Sequence, residues 1–231
     1  AAEASSRNVA QEKDKIKSLI ADISHQTKTP IANLLLYSEL LMEETLPASA
    51  KENVEALYKQ SEKLRFLIDS LVKLSRLENG IISLSPQQAS LQPLLESVVE
   101  QYAAKASEKG LSLQLQDTDA FAVFDFKWTA EALANIVDNA IKYTPSGGKI
   151  YFKLCKVQNK PVITIRNTDS YIPPEDLKHV FERFYRVDKS RKYQGGAGLG
   201  LSIASQITQS HKIKLSVTSD EKQGTEFTLN F

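Results

Sequence analysis

The chain has 231 residues, 42% of them hydrophobic and 25% charged, so it can bury a core and falls outside the disordered classes. Twenty-nine basic side chains are balanced by 28 acidic ones, which excludes a broadly basic nucleic-acid surface, and the single cysteine, Cys155, excludes an internal disulfide and a cysteine-rich zinc site. No apolar run approaches the ~18–20 residues that a membrane span requires, and the polar stretch Ala1–Lys17 has no signal-peptide core.

In chain order, apolar and semi-apolar residues first recur at Ile16, Ile20, Ile23, Thr27, Pro30, Leu34, Tyr37 and Leu41, alternating steps of four and three as in a heptad seam. Pro47 and the small residues Ala48, Ser49 and Ala50 predict a turn. A second seam runs Val54, Leu57, Ser61, Leu64, Ile68, Leu71 and Ser75 and stops at Asn79-Gly80. Two long helices joined by a turn form an antiparallel hairpin that covers only one side of each stripe, so a homodimeric four-helix bundle is expected. The helical pattern begins with no start signal before it, which suggests a piece of something larger.

After Gly80 the periodicity changes. The pattern predicts strands at Ile81–Leu84, Leu111–Leu115 and Phe121–Phe124, with an amphipathic helix over Leu91–Gly110 and another over Lys127–Tyr143. Lys149–Val157 and Pro161–Arg166 read as a hairpin around Gln158-Asn159-Lys160. A short helix from Pro174, a helix over Leu201–Ser210 and strands at Lys212–Thr218 and Glu226–Phe231 complete the chain. The expected fold class is α+β: the hairpin (1–80), then an α/β sandwich with a mixed sheet and helices on one face (81–231).

Three segments stand out chemically. In Ser24-His25-Gln26-Thr27-Lys28-Thr29-Pro30, His25 falls at the exposed f position. An exposed histidine on a coiled coil is ordinarily just a surface residue. Here, however, Pro30 follows within the helical pattern, at a cost of about 3 kcal/mol in propensity that a purely structural helix would avoid. Four of the nine glycines lie in Gly195-Gly196-Ala197-Gly198-Leu199-Gly200, directly before a helix. Such a loop either cradles phosphate with its N–H groups or is merely flexible. In Asn135-Ile136-Val137-Asp138-Asn139-Ala140-Ile141-Lys142-Tyr143, Asn135 and Asn139 share a helix face beside Lys142 and Tyr143. An amide oxygen can ligate Mg²⁺ and a lysine can neutralise phosphate, although a solvated polar face would look similar.

In this order the three segments resemble the catalytic core of the sensor histidine kinases of two-component signalling, over essentially the whole chain. Residues 24–30 look like the phosphoacceptor H-box and 135–143 like the N-box of a GHKL-type ATP-binding domain. Val180–Arg186 looks like the F-box with its trailing arginine, Gly196–Leu201 like the G2 box, and Gly224-Thr225 like the last small glycine motif. The resemblance implies that His25 accepts the γ-phosphoryl group of ATP, that Asn139 ligates Mg²⁺ with Asn135 in support, and that Lys142 neutralises phosphate charge while Tyr143 lines the pocket. It implies further that Arg186 reaches the γ-phosphate, that residues 187–198 form a lid which Gly196, Gly198 and Gly200 let close over the phosphates, and that Leu199 joins them in binding the nucleotide. The partners implied are a second copy of the chain and a response-regulator aspartate, with Thr29 orienting a water for the reverse dephosphorylation. A cytoplasmic location follows, with membrane contact only through a segment absent from this chain, and no nucleic acid.

Two departures matter. Many members carry an acidic base after the histidine, where this chain has Gln26, which cannot take the proton at pH 7. The G1 box, usually rich in glycine, reads Asn167-Thr168-Asp169-Ser170-Tyr171-Ile172-Pro173. Asn167 can still accept from the adenine amino group, whereas Asp169 and Tyr171 stand where glycines are usual. Either the loop tolerates them or they partly fill the adenine pocket. A degenerate kinase acting as a binding module or regulator phosphatase is the alternative; a chaperone-like ATPase has no use for His25. Trp128 is expected to be a packing anchor, Cys155 to be buried and inert, and His179 and His211 to be structural or surface residues. Ser190, near the lid, carries no nucleophile signature.

Overall fold

A computed structural model describes residues 2–187 and 197–231, with side chains described from residue 15 onward except at 17. The chain divides into two compact units, Ala1–Ile82 and Ser83–Phe231.

The first unit is a pair of packed helices, α1 (Ala2–Glu43) and α2 (Ala48–Glu78), with Pro47 at the N-cap of the second. Their shared face buries Ile20, Ser24, Ile31, Leu35 and Ser38 against Val54, Ser61, Ser70, Leu74 and Leu77. The serines allow the backbones to approach, and Ser38 Oγ stays satisfied by donating to the Leu34 carbonyl at 2.7 Å. The antiparallel register is marked by an ion pair between Lys28 and Asp69 at 3.0 Å and by Tyr58 Oη donating to Glu39 at 3.1 Å. The expected seam is therefore displaced. Ile20 and Thr27 turn inward, but Ile16, Ile23, Pro30, Leu34, Tyr37 and Leu41 face out. The spacing identified an apolar stripe correctly but not which neighbour it meets, because two apolar stripes share this helix. The α1 helix continues through Pro30.

The α2 helix stops as Asn79-Gly80 foretells. Gly80 N–H donates to Leu77 at 3.1 Å and Ile81 N–H to Arg76 at 2.9 Å, a Schellman closure. That bond commits Ile81 to the helix end, so the strand expected at Ile81–Leu84 does not form. The first strand is instead β1 (Gln87–Ser90), paired antiparallel with β3 (Phe121–Phe124).

In the second unit a five-stranded sheet has the order β2-β4-β5-β7-β6, from β2 (Ser112–Leu115), β4 (Lys149–Val157), β5 (Lys160–Asn167), β6 (Lys214–Asp220) and β7 (Gly224–Asn230). The β2–β4 pair is parallel and the others antiparallel, so the sheet is mixed. Gln158 and Asn159, with φ of 50° and 64°, make the two-residue turn between β4 and β5. Helices α3 (Gln92–Glu108), α4 (Phe126–Tyr143) and α6 (Gly200–Ser210) form the second layer, with α4 between the other two; α5 (Pro174–Leu177) is a single turn. The core between the layers holds Phe152, Phe227, Ile163, Ile165, Leu133, Ile136 and Ile203.

Cys155 is exposed, contrary to the expectation of burial. Its strand alternates, with Ile150 and Phe152 turned to the helices and Cys155 on the face they leave uncovered. Trp128 is half-buried beside Lys127, whose Nζ lies 5.8 Å from its ring centre.

Asp125 starts α4. Its carboxylate accepts from Trp128 N–H at 3.1 Å, as an N-cap, and from Ser85 N–H at 2.9 Å, which ties the first residues of the unit to the helix. Burial pushes this carboxyl up, but the N–H groups of Ser85, Trp128 and Lys127 and the charge of His211 outweigh it and hold it below the usual range. Because the folded group is the stronger acid, its stabilisation is full above about pH 4 and is lost as pH falls through the folded value. Asp125→Ala is expected to lower the stability of this unit by about 1–2 kcal/mol at pH 7 in urea unfolding. The deficit relative to the native protein should shrink in acid; an unchanged midpoint would contradict the capping role.

Candidate functional site

Helix α4 has two faces. Thr129, Ala132, Leu133, Ile136, Val137, Ala140 and Ile141 are buried in the core, leaving Glu131, Asn135, Asp138, Asn139, Lys142 and Tyr143 half-exposed along the other side. The sequence-identified Asn135, Asn139, Lys142 and Tyr143 thus lie together on one open face. Asn135 Nδ2 donates to the Glu131 carbonyl at 2.8 Å. Its Oδ1 abuts the first residue of α6, 3.1 Å from where a Cβ on Gly200 would sit. Lys142 Nζ lies 5.0 Å from the Tyr143 ring centre. The end of the helix is held by Lys109, whose Nζ donates to the carbonyls of Ile141 at 2.6 Å and Lys142 at 2.7 Å, a cation on the negative end of the dipole. Burial, and then Lys105, lower the Lys109 ammonium pKa. Asp138 pairs with Lys105, and Tyr102 on α3 is pushed up to about 12 by burial, then by Asp138 and Glu131.

Beside the end of α4 lies the end of β5. Asn167 is buried, and its Nδ2 donates to Thr144 Oγ1 at 3.0 Å, while Thr144 Oγ1 donates to the Ala140 carbonyl at 2.7 Å. The following loop is pinned by two hydroxyls. Thr225 Oγ1 donates to the Ser170 carbonyl at 3.1 Å, Ser219 Oγ lies 2.8 Å from Thr225 Oγ1, and Ile172 N–H donates to Ser219 Oγ at 2.9 Å. Asp169 takes φ +56°, the left-handed backbone that glycine adopts freely and aspartate tolerates, and its side chain is exposed. Tyr171 is also exposed, so neither replacement is packed into the core. Gly224, at φ +89°, must stay bare because a Cβ there would lie 2.0 Å from the Asn167 carbonyl oxygen. Thr144 and Ser219 are the neighbouring polar groups that the sequence reading missed.

The segment from α5 to Val187 is folded on itself: Tyr185 Oη donates to Asp176, His179 Nδ1 is 2.7 Å from Glu182 and stacks near Tyr185, and Phe181 packs edge-on to Phe227. Arg186 is half-buried at its end. Phe184, at φ +62°, donates its N–H to the Gly198 carbonyl at 2.9 Å. A Cβ on Gly198 would sit 2.8 Å from Tyr185 O, so the F-box-like and glycine-rich segments meet backbone to backbone. Gly195, Gly196, Ser190 and positions 188–196 of the expected lid lie outside the described residues. Leu199 is 1% exposed, so its side chain anchors the loop, while Gly200 opens α6. His211 sits at the C-cap of α6 with Nδ1 2.8 Å from the Ile207 carbonyl.

In the helical unit, His25 and Gln26 are exposed, and Thr29, one turn on, donates its hydroxyl to the His25 carbonyl at 3.4 Å. Among the described residues no three His, Cys, Asp or Glu side chains cluster to hold a metal, and no helix is long and apolar enough to cross a membrane.

Residues 15–80 match the family described as His Kinase A (phospho-acceptor) domain, and residues 125–231 the family described as Histidine kinase-, DNA gyrase B-, and HSP90-like ATPase. The chain is 32% identical over 213 residues to the sensor histidine kinase CusS of Escherichia coli K12, covering 90% of this chain and 44% of that protein. It is 30% identical over 215 residues to the sensor protein SrrB of Staphylococcus aureus N315, covering 91% of this chain and 37% of that one. The structure resembles that of full-length ShkA in complex with AMPPNP, with a TM-score of 0.78 at 25% identity over 92% of this chain and 45% of that one. The chain spans less than half the length of these relatives.

The Gly224 contact is directly testable. Gly224→Ala is expected to cost the second unit at least about 2 kcal/mol, from strain at positive φ and the collision with Asn167 O. Thermal unfolding that matches the native protein would contradict that packing.

Proposed function

This chain belongs to the sensor histidine kinases, carrying their phosphoacceptor and ATP-binding domains in order, and we propose that it transfers the γ-phosphoryl group of ATP to His25 and onward to an aspartate of a response regulator. One observation carries the assignment. His25 is the only histidine in the segment matching the phosphoacceptor domain, and it is exposed.

The neutral imidazole nitrogen attacks the γ-phosphorus as the bond to the β-phosphate oxygen breaks and ADP leaves. Such a transfer needs little covalent chemistry from the protein beyond positioning and charge neutralisation. Asn167 accepts from the adenine amino group, Tyr143 lines the pocket, and Lys142 and Arg186 neutralise phosphate charge. Gly196, Gly198, Leu199 and Gly200 offer backbone N–H groups to the phosphates. Asn139, supported by Asn135, would give Mg²⁺ a protein oxygen. The absence of a carboxylate cluster among the described residues fits a metal that keeps water and substrate phosphates as its other ligands. Mg²⁺ supplies charge neutralisation on the phosphates.

Gln26 cannot remove the imidazole proton, so transfer is slow. Thr29, one helical turn from His25, supports a second activity, orienting water against the phosphorylated regulator. The outer stripe of α1 and α2, including Leu34 (51% exposed), Tyr37 (61%) and Leu57 (60%), is the surface on which two copies form a four-helix bundle. The working location is cytoplasmic, inside a membrane-anchored sensor whose other segments this chain does not include.

Incubation with γ-³²P-ATP and Mg²⁺ is expected to give acid-labile label that His25→Ala abolishes. Gln26→Glu should label faster; label that survives His25→Ala, or an unchanged rate with Gln26→Glu, would contradict the respective role. For the dimer, Leu34→Lys is expected to convert a sedimenting dimer to monomer while the hairpin keeps its helical circular dichroism, because Leu34 packs outside the hairpin core. A Leu34→Lys protein that remains dimeric would refute that surface.

A further inference from the structure

Asn167 stands where the family resemblance places a carboxylate-type acceptor for the adenine amino group. An asparagine is ambiguous in a way that an aspartate is not. One branch of its side chain accepts and the other donates, and turned the wrong way it would present a donor to the base.

The buried network removes that ambiguity. Thr144 is fully buried, and its hydroxyl has one proton, committed to the Ala140 carbonyl at 2.7 Å. The Thr144 N–H also reaches that carbonyl, at 3.0 Å, but the hydroxyl makes its shorter contact there, so Oγ1 accepts along its longer contact with Asn167, 3.0 Å away. The branch of Asn167 facing Thr144 is therefore Nδ2, because Oδ1 there would meet a lone pair or draw the hydroxyl away from its shorter bond to Ala140. The opposite branch is then fixed as Oδ1, an acceptor.

We propose that Thr144 is a specificity-determining positioning residue. By locking the Asn167 amide with its oxygen outward, it makes the site select 6-aminopurine over 6-oxopurine nucleotides. The proposal rests on the reading that Asn167 contacts the base. The amino group at position 6 of adenine donates to Oδ1, whereas the oxo group of hypoxanthine meets it with a lone pair. A site built to bond one group rejects its inverse strongly.

The test titrates Mg-ADP and Mg-IDP into the full chain and compares the ratio of the two affinities, which a partly unfolded preparation does not alter. The native protein and Thr144→Ser, which keeps the hydroxyl, should prefer ADP by about tenfold or more. Thr144→Val, and Thr144→Ala as a second hydroxyl-free variant, should lose most of that preference because the amide can turn. Adding Asn167→Asp to Thr144→Val should restore it, since a carboxylate presents an acceptor in either orientation. A preference that survives in both Thr144→Val and Thr144→Ala but vanishes in Asn167→Ala would overturn the locking role while leaving the base contact intact. A preference unaffected by Asn167→Ala would overturn the base contact, and the proposal with it.

Discussion

The second unit is organised around a short buried chain of hydrogen bonds, from the Ala140 carbonyl through Thr144 Oγ1 to Asn167 Nδ2. It joins the end of the helix that carries the polar face to the end of the strand that leads into the loop after Asn167. Both hydroxyl and amide are nearly inaccessible to water, so leaving either unpaired would cost about 1–3 kcal/mol. The neighbouring backbone is fitted to the same node, with Gly224 bare against the Asn167 carbonyl and Lys109 closing the last carbonyls of α4. With α4 and β5 fixed at these ends, Asn135, Asn139, Lys142 and Tyr143 share one open surface, and the glycine-rich segment reaches it where Gly200 abuts Asn135 Oδ1.

The helical unit obeys a different constraint. A two-helix hairpin has a single internal face, and here that face is lined partly by serines, which permit close approach but contribute little apolar burial. Large apolar side chains remain on the outside, and the histidine sits on a third, polar direction. One stripe closes the hairpin, one apolar stripe stays exposed, and the direction that carries His25 is exposed as well. This division accounts for the serine content of the inner face as well as the exposed leucines.

Much of this was legible in the sequence. The hairpin, the boundaries of α3, α4 and α6, the Gln158-Asn159 turn and the mixed sheet follow from periodicity and turn chemistry acting locally. The misreadings share a cause, since each depended on neighbours far away in the chain. The heptad spacing on α1 could not say which of two stripes meets α2. Ile81–Leu84 alternates as a strand does, but Ile81 is spent on closing α2. Cys155 occupies an ordinary strand position, and only the one-sided helical layer leaves it exposed. The candidate site was picked out through asparagines and glycines whose presence in those places is locally costly, whereas Thr144 and Ser219 cost nothing locally and gave no signal. Asp169 and Tyr171 look damaging in sequence; in the structure one holds the glycine-like backbone and both side chains remain outside the core.

The claim on which the account turns is that the α4–β5 surface is a working nucleotide site despite those two replacements. Isothermal titration of the chain with Mg-ADP tests it most directly. One saturable site per chain, weakened at least about tenfold by Asn139→Ala while the fold persists, is the expected result. No binding into the millimolar range, or binding indifferent to Asn139, would contradict it.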